Sequence, residues 1–320
     1  VQAIAHDLHP DFFSTQLAIA TADALGVPAI GVQHHHAHLA AVVAEHGIEG
    51  PVVGLALDGV GLGTDGTPWG GELLWLDGPR WARLGHLQPL ALPGGDRAAR
   101  EPWRMAASAL HAMGQGDQIV PRFGLVVGEA VAAGVRQLLD KRLNCPMTSS
   151  AGRWFDAAAG ALGLCVHQQE EAQAAIALEL AAARALRARP DLPPLPGAVV
   201  AADGRIDLRP VLTQLFEATD ADAAAAGFHL ALADALAGAL IGAARERGVR
   251  IAVLGGGCFF NRILRERTVQ RLQAAGLRVF QTGDKGCGDA GLAIGQAWVA
   301  AQQLQTSQTT SPVEETIPCA

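Results

Sequence analysis

The sequence predicts an α/β protein, and three observations point to that class. Short apolar runs alternate with longer stretches of helical periodicity, the order expected of successive β–α units. Two of those runs, Val52–Leu57 and Ile251–Leu254, lead directly into glycine-rich turns. The chain has 320 residues, of which 50% are hydrophobic and 17% charged. That composition belongs to a folded chain, long enough for one large domain or two ordinary ones.

Taken in order, Ser14 to Leu25 reads as an amphipathic helix and Pro28 to Val32 as a short strand. A histidine run then enters an apolar helix through Leu39 to Glu45. Val52 to Leu57 is a buried-strand pattern ending at Asp58 and a glycine turn, and Leu73 to Leu76 is a returning strand. Ala98–Met113, Gly128–Leu139 and Glu170–Arg187 read as helices. Residues 188–197 hold four prolines and read as a linker. A strand at Ala198–Ala201, a helix at His229–Arg247, a strand at Ile251–Leu254, a helix from Arg262, a strand at Leu277–Gln281 and a helix at Ala290–Gln303 complete the order. The polar, proline-containing residues 306–320 are expected to be a disordered tail. Because patterned sequence starts at once from Val1, the chain reads as a piece of something longer.

A formal charge of −7 argues against a general affinity for nucleic acid, while leaving room for a nucleotide held by local backbone amides. The five cysteines form no C-x-x-C pair, which suits a reducing cytoplasm rather than a disulfide framework. The sequence has no signal-peptide layout, and its apolar stretches look too broken by charge and glycine to span a bilayer. The expected setting is cytoplasmic, without a membrane or nucleic-acid partner.

The segment Gln33-His34-His35-His36-Ala37-His38 is the most informative. His34 and His38, four apart on a helix, project from one face and can share a metal ion. A chance cluster at a polar helix start is the plainer alternative. Two imidazoles leave coordination positions for carboxylates. Asp58 and Asp289 follow predicted strands, where an α/β fold exposes its functional groups, although Asp289 is equally well placed to be a helix N-cap. The turns Asp58-Gly59-Val60-Gly61-Leu62-Gly63-Thr64-Asp65-Gly66 and Gly255-Gly256-Gly257 could bring backbone N–H groups against phosphate. Neither has the spacing of a P-loop or a dinucleotide fingerprint. Arg104 and Arg153 could neutralise phosphate and Asp156 could orient a ribose or a water, or each could anchor a loop through an ion pair. Cys258 is the rival nucleophile, but no histidine signature accompanies it.

Together, Asp7-Leu8-His9-Pro10, the Gln33–His38 run, the Asp58 turn with Trp69-Gly70-Gly71-Glu72, Pro93-Gly94-Gly95-Asp96 with Pro102-Trp103-Arg104, Thr148–Asp156, and Gly255–Arg262 resemble, in the same order, the HypF family of hydrogenase-maturation carbamoyltransferases. The corresponding domain of that family is similar to TsaD and to antibiotic O-carbamoyltransferases. The resemblance implies a duplicated actin-like ATPase fold with two lobes, the first incomplete at its N-terminus. It assigns residues 1–190 to the first lobe and its connecting helices, and 191–305 to the second lobe. It further implies that His34, His38, Asp58 and Asp289 hold an iron- or zinc-like divalent metal, the first three serving in catalysis. Gly59, Gly61, Gly63, Asp65, Gly66, Arg153, Asp156, Gly255, Gly256 and Asn261 would embrace ATP or a carbamoyl-adenylate. The carbamoyl acceptor would be the C-terminal cysteine thiolate of a HypE-like partner protein. A stand-alone O- or N-carbamoyltransferase acting on a metabolite or tRNA, and a catalytically silent nucleotide-binding fragment, are the alternatives. The chain departs from the family at Gly288, where the family usually has Asn, and lacks the family's acylphosphatase, zinc-finger and adenylate-forming segments.

Overall fold

A computed structural model describes residues 1–283 and 288–309, with side chains through residue 306. The chain opens with β1 (Ile4–Asp7), α1 (Phe13–Leu25), β2 (Ala29–Val32) and α2 (His34–Glu45). A hairpin series follows, β3 (Val52–Leu62), β4 (Pro68–Asp77) and β5 (Arg80–Leu87), then the short β6 (Leu90–Ala91). The middle of the chain contributes α3 (Asp96–Arg100), α4 (Pro102–Ala112), α5 (Ile119–Val127), α6 (Glu129–Lys141), β7 (Met147–Thr148), α7 (Ala151–Ala161) and α8 (Gln173–Ala188). The last part holds β8 (Val199–Val200), β9 (Arg205–Asp207), α9 (Arg209–Phe216), α10 (Ala221–Arg247), β10 (Ile251–Gly255), α11 (Arg262–Ala274), β11 (Arg278–Gln281) and α12 (Leu292–Thr309).

The main sheet has seven strands in the order β11-β10-β3-β4-β5-β9-β8. β10 runs parallel to both β3 and β11, whereas β3, β4 and β5 form an antiparallel meander. The α/β class is therefore observed, but through a mixed sheet rather than through sequential β–α units. β1 and β2 make a separate parallel pair. The chain thus changes sheets after α2, and strands from both sides of the proline loop at 188–197 join one sheet. The lobe boundary expected at residue 190 does not coincide with that change.

Helix α10 is buried along most of its length, with Phe228, Leu232, Leu236 and Leu240 fully enclosed. A helix apolar on all sides belongs inside a fold. It is long and apolar enough to cross a membrane, contrary to the reading of broken apolar stretches, yet 78% of its apolar window is buried within the protein. Its start lies eight residues before the expected His229, because the Asp220 side chain caps it by accepting from the N–H of Ala223.

The expected helix Ala98–Met113 is two helices. Pro102 lacks an N–H and forces the preceding Glu101 out of helical geometry, breaking α3 from α4. α5, α7 and α9 were not expected, since their short periodic stretches lie among glycines and prolines. α12 continues through Thr309, so the first residues of the expected tail are helical; the rest of that tail, with Cys319, lies outside the described residues, as does Cys287.

Candidate metal centre

α2 begins at His34 because Gln33 caps it, its Oε1 accepting from the N–H of His36 at 2.8 Å. The helix is wedged between the main sheet and α12. Leu39 packs on the sheet side, while on the other side Gly295 of α12 stands so close to the carbonyl of Ala37 that a Cβ there would lie 1.9 Å from it. This burial leaves His34 and His38 only 1% and 2% exposed. As the four-residue spacing predicts, they share a face, and both rings point at β3.

β3 does not end at Asp58. It continues to Leu62, with its register broken between Leu57, which pairs Gly71, and Gly61, which pairs Trp69. Residues 58–60 therefore face Gly70 alone, a bulge that turns Asp58 out of the ladder. Gly70 permits it, since a Cβ there would meet the carbonyl oxygen of Asp58 at 2.6 Å. The side-chain Oδ1 of Asp58 accepts from the N–H of Gly59 at 2.7 Å, while Oδ2 faces the imidazoles.

Asp58 Oδ2 lies 3.2 Å from His34 Nε2 and 3.0 Å from His38 Nε2. Asp289, in a 3-10 turn just before α12, brings Oδ1 to 3.8 Å from His34 Nε2 and 3.5 Å from His38 Nε2. All four candidate ligand atoms fall within 4.8 Å of one another. Donors bound to one cation at about 2.1 Å, at tetrahedral to octahedral angles, stand roughly 3.0–3.4 Å apart. The two Asp58 distances already fall in that range, and a small shift of the exposed Asp289 side chain would bring its distances to the two imidazoles into it. Two imidazole nitrogens and two carboxylates suit a borderline divalent cation such as zinc or ferrous iron.

The electrostatics favour positive charge at this point. Burial opposes the imidazolium of His34, but hydrogen bonds to Asp58 and Asp7 override it and raise the ring to about 10. His38 is also raised, with Asp289 and Asp58 outweighing burial. Burial likewise works against ionising Asp58, and the two imidazoles overcome it, holding the carboxyl far below its usual range. His35 and His36 behave oppositely: burial keeps both neutral, His36 at about 4. The His36 ring lies against Trp81, and the His35 ring sits between His34 and Trp69.

The glycine turns are distributed differently from expectation. Gly59 is open and adjoins the N-terminus of α7, where a Cβ on Gly152 would reach the Gly59 Cα at 3.1 Å. Ser150 caps α7 and also donates from Oγ to the carbonyl of Gly59 at 2.5 Å. Gly61, within the strand, has His34 and His35 where a Cβ would be, and Gly63, just past the strand end, has Trp69 there. Asp65 accepts from Thr67 and from Trp69 Nε1, closing the hairpin turn that Gly66 completes in the left-handed region. Gly255 and Gly256 let β10 end against His38 and Leu57, bringing Gly257 within 3.2 Å, at an added Cβ, of Asp58 Oδ1. The triple glycine and the Asp58 bulge thus meet.

Asn261 is engaged in the fold. Its Oδ1 caps α11 by accepting from the N–H of Leu264, and its Nδ2 donates to His229 Nε2 at 2.9 Å. Arg153 Nε stands 2.6 Å from Asp156 Oδ2, and burial, opposed by Arg153, raises that carboxyl to about 6. Arg104 pairs with Glu101 and donates to the carbonyl of Pro93. Sequence alone gave no site role to two residues: Asp7, whose Oδ2 lies 2.8 Å from His34 Nδ1, and His229. Asp7 opens the Asp7-Leu8-His9-Pro10 motif, but its pairing is not legible there because its partner lies 27 positions away.

A family model described as carbamoyltransferase, Kae1-like domain, second subdomain, matches residues 54–296, and a HypF Kae1-like domain matches residues 1–45. The carbamoyltransferase HypF homolog of Cupriavidus necator is 57% identical over 328 residues, covering all of this chain and 83% of that protein. The carbamoyltransferase HypF of Rhizobium leguminosarum is 43% identical, with 99% of this chain but 40% of that protein covered. Among solved structures, a full-length HypF in a phosphate- and nucleotide-bound form superposes with a TM-score of 0.84 at 30% identity, over 95% of this chain and 47% of the other. HypF of T. kodakarensis gives the same TM-score at 34% identity, over 94% of this chain and 40% of that one.

Proposed function

The chain belongs to the HypF carbamoyltransferase family, and from that premise we propose that it transfers a carbamoyl group from carbamoyl-adenylate to a cysteine thiolate. The acceptor in this reading is the C-terminal cysteine of a HypE-like protein, and the reaction serves [NiFe]-hydrogenase maturation in the cytoplasm. One observation carries it: His34, His38, Asp58 and Asp289 converge within 4.8 Å beside the meeting point of two glycine turns. A carbonyl-polarising centre is thereby set against backbone that can approach phosphate.

The residues divide the work as follows. His34, His38, Asp58 and Asp289 would hold a divalent cation, which supplies Lewis-acid polarisation of a carbonyl or phosphoryl oxygen. The N-terminus of α7 would offer N–H groups to the adenylate phosphate, the open Gly59 leaves room for that phosphate beside it, and Arg153, paired with Asp156, stands at the same helix start. The partner's thiolate adds to the carbamoyl carbon, the C–S bond forms, and the bond from that carbon to the phosphate oxygen breaks. AMP leaves with the electron pair, and the thiol proton goes to solvent. The nucleophile comes from the partner, so the chain itself needs none. A nucleotide-bound relative at 30% identity supports the donor assignment.

The test supplies synthetic carbamoyl-adenylate and an acceptor protein ending in cysteine, with zinc or ferrous iron present, and follows the acceptor by mass spectrometry. The expected result is one carbamoyl group on the terminal cysteine and one AMP released. His38→Ala and Asp58→Ala should each slow transfer at least about 100-fold. Undiminished transfer in both variants would overturn the reading.

A further inference from the structure

Asp7 stands at the end of β1, on the two-stranded sheet, and belongs to none of the elements that carry the four converging ligand atoms. It is nonetheless 3% exposed, and its two carboxylate oxygens have separate engagements. Oδ1 accepts from the N–H of His9 at 2.9 Å, and Oδ2 lies 2.8 Å from His34 Nδ1. The carbonyl of Asp7 also accepts from the buried hydroxyl of Thr15. Asp7 is thus held at both carboxylate oxygens and at its backbone carbonyl, and the carboxylate is aimed at the ring nitrogen that faces away from Asp58. His38 differs: among the described residues no carboxylate reaches its Nδ1, and its acidic contacts all fall on Nε2.

We propose that Asp7 is a positioning residue for the metal centre, locking His34 in the tautomer that carries its proton on Nδ1 and presents the Nε2 lone pair to the cation. The inference rests on the metal reading of the four-donor cluster. An imidazole binds a cation through only one nitrogen, and a carboxylate accepting from the other fixes the ring plane and makes the ligating nitrogen more basic. Burial sharpens the effect, since water cannot substitute for Asp7 at this depth. The arrangement also makes the first sheet part of the site, tying β1 to β3 through one imidazole.

The experiment measures zinc affinity of the purified chain by competition with a chromophoric chelator, for the wild type, His34→Ala, Asp7→Asn and Asp7→Ala. Unfolding of each is recorded in excess EDTA. The wild type should bind one zinc ion and His34→Ala should lose it. Asp7→Asn keeps an acceptor of the same shape and should weaken binding about 10-fold, and Asp7→Ala nearer 100-fold. A merely structural Asp7 would lower stability in EDTA while the folded variants kept wild-type affinity, and that outcome overturns the proposal. Zinc binding that is absent from the wild type, or indifferent to His34→Ala, overturns the metal reading and this inference with it. Should the Asp7 variants fail to fold, nitrogen-15 histidine spectra of the zinc-loaded wild type decide. A proton on His34 Nδ1 with metal on Nε2 supports the assignment, and the reverse tautomer overturns it.

Discussion

At the scale of single residues, burial and partner choice separate histidines that look alike in the sequence. His34 and His38 face carboxylates and favour positive charge, whereas His36 and His229 are enclosed without an acidic partner and stay neutral. His229 is the informative case. Burial pushes it down to about 4 despite a hydrogen bond from Nδ1 to the carbonyl of Ala225, and its Nε2 must remain a lone pair to accept from Asn261. The sign of the linkage follows. Between pH 6.5 and 4 the unfolded chain takes up a proton that the folded protein refuses, so stability is present above that window and is lost as pH falls through it. His229→Gln, whose amide can meet both partners, should reduce the loss of unfolding free energy between pH 7 and pH 5 by about 2 kcal/mol. Urea titrations at the two pH values measure it, and an unchanged difference would contradict the burial argument. His36 contributes a second limb of the same sign. Asp156, raised to about 6 by burial, contributes one of opposite sign, losing stability as pH rises from 4 to 6.

At the scale of elements, the four-donor cluster depends on three local devices: the cap of α2, the bulge in β3 and the close crossing of α2 by α12. Of the first, the helix and its histidine face were legible, because an i, i+4 histidine pair directly after a strand announces one helical face, but the Gln33 cap was not read. The second was not. Asp58-Gly59-Val60-Gly61 reads as a turn, and only pairing with β4 makes it a bulge inside a longer strand. The third depends on Gly295, which has no local sequence signature. Gly295→Val would place side-chain atoms where the backbone of Ala37 stands. The expected outcome is destabilisation of about 3 kcal/mol or more by overpacking. Because α12 follows directly from the Asp289 turn, zinc affinity should fall as well, even though residue 295 is not itself a candidate ligand. Thermal unfolding in EDTA and chelator competition test the two halves separately. Gly242→Val, on an open helix face, serves as the control.

At the scale of the whole molecule, the candidate ligands come from α2, β3 and the turn before α12, and Asp7 adds β1, so a bound cation joins segments from both ends of the chain. A ligand that binds only the folded state stabilises it by mass action, about 2.7 kcal/mol when present at 100 times its dissociation constant. Zinc should therefore raise the unfolding temperature, and His38→Ala should abolish the rise while leaving the folded state measurable in EDTA. A rise that persists in His38→Ala would place the cation elsewhere. The same scale separates what could be read from what could not. The sequence by itself determined the α/β class, the family and the paired histidines, because strand and helix periodicity and an i, i+4 spacing are local properties of the chain. Tertiary structure alone decided that Asp7 meets His34, that Gly61 and Gly63 make room for imidazole and indole rings, and that Asn261 is held by a buried histidine. Each of those contacts depends on which distant surface is packed against the residue, and spacing along the chain carries no record of that.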